Sequence, residues 1–277
     1  MTQITASEVN QLRQSTGAGM MDCKNALVEA NGDVEKAVDL LRKKGQKVAA
    51  DRGDRDAKEG YIIAATSEDG KTGAVIALNC ETDFVAMNEE FQNYATSIVG
   101  LAVSTKATSI EQLKSASING STVEEGITNL IGKIGEKVEM SQLKIVEAEK
   151  VIAYNHPGNR LAAIVGLSQS GSDKLDEIGK DIAMQIAAMN PVAIDQDDVA
   201  QDIIDRELAV GKEQAREAGK PEEMIEKIAL GKLNKFYKEN TLLNQDFIKD
   251  NKKSIKQVLS EVDAGLSVTS FGRSALS

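Results

Sequence analysis

The sequence predicts an α+β fold with antiparallel sheets: a three-helix module first, then a core in two parts, with a helical hairpin inserted in the second. Three observations carry this prediction. Residues 1–45 hold three short stretches of helical apolar spacing broken by glycines. Strand-like pairs around a tight turn then occur twice, each followed by a long helical pattern. Between residues 195 and 238 two amphipathic stretches flank Gly219-Lys220-Pro221, the pattern of an αα-hairpin.

In the first stretch Thr5 or Ser7 can cap a helix carrying Val9 and Leu12, and Thr16-Gly17-Ala18-Gly19 breaks it. A second helix over residues 20–30 aligns Met20, Cys23, Ala26 and Leu27. Asn31-Gly32 stops it, and Asp33 caps a third with Val34, Ala37, Val38 and Leu41 as its stripe. Residues 42–59 mix charges with a basic excess and read as a helical extension fading into a solvated linker, with a basic docking patch as the alternative.

Residues 61–65 and 72–80 form a hairpin about Glu68-Asp69-Gly70-Lys71. Helices follow over residues 88–103 and 123–135, then a strand at 142–146. The plan recurs with strands at 151–154 and 161–167 around His156-Pro157-Gly158, and a helix over 172–189 that Pro191 ends. The hairpin helices cover residues 195–218, with Val199, Ile203, Ile204 and Leu208 on one side, and 222–238, with Met224, Ile228 and Phe236 among the apolar positions. Pro221 suits the first turn of the second. Ser254 caps a helix reaching Val262, and residues 266–271 return a last strand to the second core part. The expected units are 1–56, 57–147, 148–191 with 240–277, and 192–239.

Composition removes several functions. The 277 residues carry 33 Lys plus Arg against 43 Asp plus Glu, a net charge of −10, so direct binding to a nucleic-acid backbone is disfavoured. No apolar run approaches the ~20 residues that span a bilayer. Residues 1–8 lack the basic and apolar regions of a secretory signal. Two cysteines, Cys23 and Cys80, read as reduced thiols of a cytoplasmic protein. The single histidine, His156, disfavours a His-based metal site or a Ser-His-Asp triad, and no phosphate loop of standard spacing is present. Gly17 and Gly19 have neither a leading strand nor a following GK[ST], so they read as an interhelical turn.

One segment stands out. Asn79-Cys80-Glu81-Thr82-Asp83-Phe84-Val85-Ala86-Met87 leaves a strand and enters a helix, in a chain with only five Phe, four Tyr and no Trp. Phe84 lies beside an ionised Asp83. Three readings are open: a hydrophobic staple and cap, an exposed interface anchor, or a carboxylate metal site from Glu81 and Asp83.

That segment, together with Thr16-Gly17-Ala18-Gly19-Met20-Met21-Asp22-Cys23-Lys24 and Asn31-Gly32-Asp33, resembles the bacterial elongation factor Ts family. The resemblance continues in the same order through Gly158-Asn159-Arg160, residues 182–188 and Gly219-Lys220-Pro221. It implies an exchange factor, not an enzyme, that promotes release of Mg²⁺ and GDP from elongation factor Tu so that GTP can bind. It implies a ubiquitin-associated-like N-terminal module and a partner-binding loop at Thr82, Asp83, Phe84 and Val85. Further contacts would come from the module at Gly17, Gly19, Met20 and Met21. No cofactor and no metal of its own is implied, and a homodimer stays open. Two departures matter. Relatives often continue beyond the last strand, whereas this chain stops at Ser277. Some carry His where Gln185 stands, so any role of that histidine does not transfer.

Overall fold

The computed structural model describes residues 4–171 and 173–276. The expected starting residue of the 172–189 helix, Ser172, and the outermost residues of the chain lie outside that set. Capping residues fall where the sequence puts them. Thr5 closes a capping box with Glu8 at the start of α1 (Ala6–Thr16), Gly19 precedes α2 (Met20–Glu29), and Asp33 accepts from the Lys36 amide to start α3 (Val34–Asp51). Val9, Leu12, Cys23, Leu27 and Ala37 are the buried centre of this bundle.

The first core part contains β1 (Glu59–Thr66), β2 (Thr72–Cys80), the single turn α4 (Asp83–Ala86), α5 (Glu89–Thr105) and α6 (Ile110–Ser115). The two-residue strands β3 (Ser117–Ile118) and β4 (Ser121–Thr122), α7 (Val123–Ile134) and β5 (Val138–Glu147) complete it. The second contains β6 (Lys150–Asn155), β7 (Leu161–Leu167) and α8 (Asp173–Met189). The hairpin α9 (Gln201–Glu217) and α10 (Glu222–Asn240) follows. Then come β8 (Asp246–Phe247), β9 (Asp250–Ser254), α11 (Ile255–Val262) and β10 (Val268–Ala275). The fold is α+β, with antiparallel sheets ordered β1-β2-β5 and β10-β7-β6.

Strand periodicity assigns each face. Ala74, Ile76, Leu78 and Cys80 of β2 face α5 and α7, while Val75 and Ala77 face the second sheet. On β7, Ala163, Val165 and Leu167 face α8, while Ala162 and Ile164 face the first sheet. The order is helices, sheet, sheet, helices, so both central strands are buried on two sides. That is why they read as nearly continuous apolar runs rather than alternating ones.

β1 is an edge strand, and side chains of the β6–β7 hairpin pair with its free edge. The Ala64 amide donates to Asn155 Oδ1 (2.7 Å) and Asn155 Nδ2 donates to the Ala64 carbonyl (3.0 Å). The Ile62 amide donates to the Asn159 carbonyl (2.7 Å), and Asn159 Nδ2 donates to the Ile62 carbonyl (3.1 Å). Asn155 thus acts as a short length of strand. Replacing it by Ala leaves a partly buried donor and acceptor unpaired, so Asn155→Ala should lower stability by about 2 kcal/mol in urea unfolding.

Two features of the inserted hairpin differ from the sequence expectation. Its first helix begins at Gln201, because Asp195 forms a capping box with Asp198 and holds residues 196–198 in a 3₁₀ turn. Asp195 also accepts from Asn244 Nδ2 (2.7 Å), which ties this root to the second core part. In α10 the buried positions are Ile225, Ala229 and Leu233, while Met224 is exposed. The seam needs small residues: a Cβ on Gly211 would meet Ala229 Cα at 3.2 Å. Pro221 caps α10 from just outside it.

Candidate functional site

Thr82 starts the turn. Its hydroxyl accepts from the Val85 amide (3.4 Å) and donates to Glu136 Oε1 (2.8 Å), while its amide donates to Glu136 Oε2 (3.1 Å). Glu136, just past the end of α7, therefore takes both donors of Thr82. Val85 and Ala86 are buried in the first core cluster and hold the turn down. Phe84 points the other way and is 80% exposed, with Met87 at 64% beside it. Thr82 is thus the cap that one sequence reading expected, but Phe84 is not a staple. Asp83 is exposed and Val85 is an internal anchor.

Glu81 is occupied as well. Arg52 Nη1 donates to both of its oxygens (3.0 and 3.1 Å), Arg55 Nη1 to Oε2 (3.2 Å) and the Lys137 amide to Oε1 (2.7 Å). Burial pushes this carboxyl up, but the Lys137 amide and the two guanidiniums outweigh burial and hold it below its ordinary 4.5. Its contribution to stability is therefore full above that ordinary value and is lost as pH falls through the lowered folded value. Among the described residues no three His, Cys, Asp or Glu cluster as metal ligands.

The N-terminal residues lie on the same frame. Gly17, at φ 68°, ends α1 in the left-handed conformation, and Gly19 caps α2. Met20 and Met21 are exposed, the latter at 63%. A Cβ at Gly17 would lie 3.0 Å from Lys133 Nζ and 3.6 Å from Glu90 Oε1, and these two side chains pair with each other. Glu90 stands in the first turn of α5, three residues beyond Met87. The C-terminal end of α7 thus touches both candidate regions, through Lys133 at Gly17 and through Glu136 at Thr82.

The module is seated by a glycine crossing of α3 and α7. A Cβ on Gly45 would meet the Thr128 carbonyl at 3.0 Å, and one on Gly132 would meet Gly45 Cα at 2.9 Å. Sequence reading missed this seat, and it missed Glu81, Glu136 and the arginines as a group. The basic excess of residues 42–59 was the available signal. The segment is the helical extension and largely exposed linker that the sequence suggests, except that Arg52 and Arg55 are tied to Glu81.

The thiols are inert by environment. Cys23 is buried and near the Thr16 hydroxyl. Cys80 is buried and donates to the Thr82 carbonyl (3.1 Å); burial, then the nearby Glu136 carboxylate, pushes it up to about 12. At pH 8 the thiol is then almost entirely protonated. Alkylation by iodoacetamide at that pH should leave Cys80 of the folded protein unmodified and modify it readily in urea. His156 pairs with Tyr154, its Nδ1 lying 2.8 Å from the phenol oxygen.

Chemically, this arrangement can present an aromatic wedge on a braced turn, with two exposed methionines of the seated module on the same frame. A family model described as elongation factor TS matches residues 81–277. The chain is 53% identical over 270 residues to the elongation factor Ts of Amoebophilus asiaticus, covering 98% of each chain. It is 51% identical over 278 residues to that of Cytophaga hutchinsonii and 50% over 276 to that of Christiangramia forsetii, with full coverage in both cases. The class is that of translation elongation factors. The chain belongs to the elongation factor Ts family.

Proposed function

We propose that this protein is a guanine-nucleotide exchange factor that binds the GDP form of elongation factor Tu and promotes loss of Mg²⁺ and GDP. The observation that carries the reading is Phe84: 80% exposed on a turn held in place by the Thr82 bonds to Glu136 and by the buried Val85 and Ala86. An exposed, fixed aromatic flanked by polar groups is the usual anchor of a protein interface.

A GTPase holds GDP through phosphate contacts and a bridging Mg²⁺. An exchange factor forms no covalent bond. It binds the nucleotide-free state more tightly than the nucleotide-bound state, and by linkage nucleotide expels the factor by the same ratio. Phe84 enters an apolar pocket on the GTPase and displaces an element supporting its Mg²⁺ site, while Asp83 hydrogen-bonds the displaced arrangement without ligating the metal. Burying one Phe supplies roughly 1.5–3 kcal/mol, a coupling of about ten- to a hundredfold. Further coupling comes from Met20 and Met21, held beside Gly17 and Gly19, and from the second core part, which reaches a distant β-domain of the partner.

The working units are residues 1–56, 57–147, 148–191 with 240–277, and 192–239. The protein acts in the cytoplasm on a protein partner, without direct contact to nucleic acid or membrane; a homodimer is a second assembly that the hairpin can serve. Gel filtration tests the linkage. The two proteins should co-elute without nucleotide and separate when excess GDP is added. A complex that GDP leaves intact would favour a plain adaptor.

A further inference from the structure

Glu81 is held by two arginines, Arg52 and Arg55, that lie on the stretch of chain leading from the seated module to the core. α3 ends at Asp51, and Arg52 and Arg55 follow directly in the segment leading to β1. Both reach Glu81, the residue before Thr82. Lys137 closes the ring: its amide donates to Glu81 and its Nζ donates to the Arg55 carbonyl (3.0 Å). Three chain segments, 52–55, 81–82 and 136–137, therefore meet around one carboxylate whose side chain is only 14% exposed.

We propose that Glu81 with Arg52 and Arg55 is a positioning latch, which locks the turn bearing Phe84 to the α3–linker junction so that module and wedge meet a partner as one preformed surface. The inference rests on the exchange reading for its functional consequence and on the geometry alone for the latch. A four-residue helix is too short to be stable by itself. Its orientation comes from what holds its ends: Val85 and Ala86 below, Glu136 at Thr82, and the latch at Glu81. Releasing the latch leaves the buried anchors and the encounter surface intact, but lets the turn sample orientations that do not present Phe84. The expected signature is a lower maximal exchange rate with little change in the concentration giving half the maximum, because ordering cost is charged to the wedge step.

The test compares the full-length wild-type protein with Arg52→Ala/Arg55→Ala and the conservative Arg52→Lys/Arg55→Lys. Amide hydrogen exchange of the free protein reads the latch: the amides of Val85 and Met87 should exchange about tenfold faster in the alanine double variant and be largely restored in the lysine one. GDP release from elongation factor Tu, at saturating factor, should fall roughly fivefold in the alanine variant, recover in the lysine variant, and keep its half-maximal concentration. Unchanged exchange at Val85 and Met87 in the alanine variant overturns the latch, whatever the release rates. Faster amide exchange with an unchanged maximal release rate overturns its role in positioning the wedge. Should the wild type itself release no GDP while the amide result holds, the latch stands and the exchange reading fails.

Discussion

Phe84→Ala is expected to slow factor-stimulated GDP release from elongation factor Tu by at least about tenfold, while the free protein keeps its thermal midpoint. Both halves follow from geometry. Phe84 is 80% exposed, so truncation removes almost no intramolecular packing, and the turn keeps its buried members Val85 and Ala86. Thr82 still caps the turn and still holds Glu136. What is lost is the apolar group available to a partner pocket, worth roughly 1.5–3 kcal/mol when buried. A variant that unfolds more easily would show that Phe84 supports its own domain. Val85→Ala should behave in the opposite way, costing stability first, because its side chain is within the core.

The second large effect is expected from Gly45→Leu. Helices α3 and α7 cross at Gly45 and Gly132, and a Cβ on Gly45 already meets the Thr128 carbonyl at 3.0 Å. Backbone cannot swing aside as a side-chain tip can, so a leucine must force the helices apart. Overpacking of this kind costs about 1–3 kcal/mol. The N-terminal bundle has its own small core, built on Leu12, Cys23 and Leu27. It is separate from the clusters that hold the sheets, except that Val48 and Ala49 of α3 pack on the first of them. The variant should therefore keep a folded core while its module loses its seat. Met20 and Met21 then no longer stand in a fixed relation to Phe84, and the affinity for nucleotide-free elongation factor Tu should drop by about tenfold or more. Titration of the complex measures this, with circular dichroism as the control for the fold. Full affinity in a variant with an unseated module would show that the module does not contribute to docking.

Much of this architecture was legible in the residues. The caps Thr5, Asp33 and Ser254, the turn glycines, and the paired strand runs located the elements that local chemistry determines. The pieces that escaped are those set by tertiary contacts. The hairpin's first helix starts late because Asp195, anchored by Asn244 49 positions away, caps a 3₁₀ turn over residues 196–198 first. Met224 faces water because the seam is set by Gly211 on Ala229, not by counting apolar residues. The strands of two residues and α6 carry too few positions for a period to show. At the site, Phe84 could be singled out by its scarcity and its charged neighbour. The brace could not, since Arg52 and Arg55 reach Glu81 across 29 and 26 positions of chain, Glu136 reaches Thr82 across 54, and each looks, taken singly, like a solvated charge.

If the exchange reading holds, this protein makes elongation factor Tu release GDP. Stopped-flow release of a fluorescent GDP analogue from elongation factor Tu, with and without this protein, tests it most directly. The release rate should rise with the concentration of the protein, saturate, and lose at least about tenfold of its stimulation in Phe84→Ala. A release rate identical with and without saturating wild-type protein, under conditions where the two proteins bind, would contradict it.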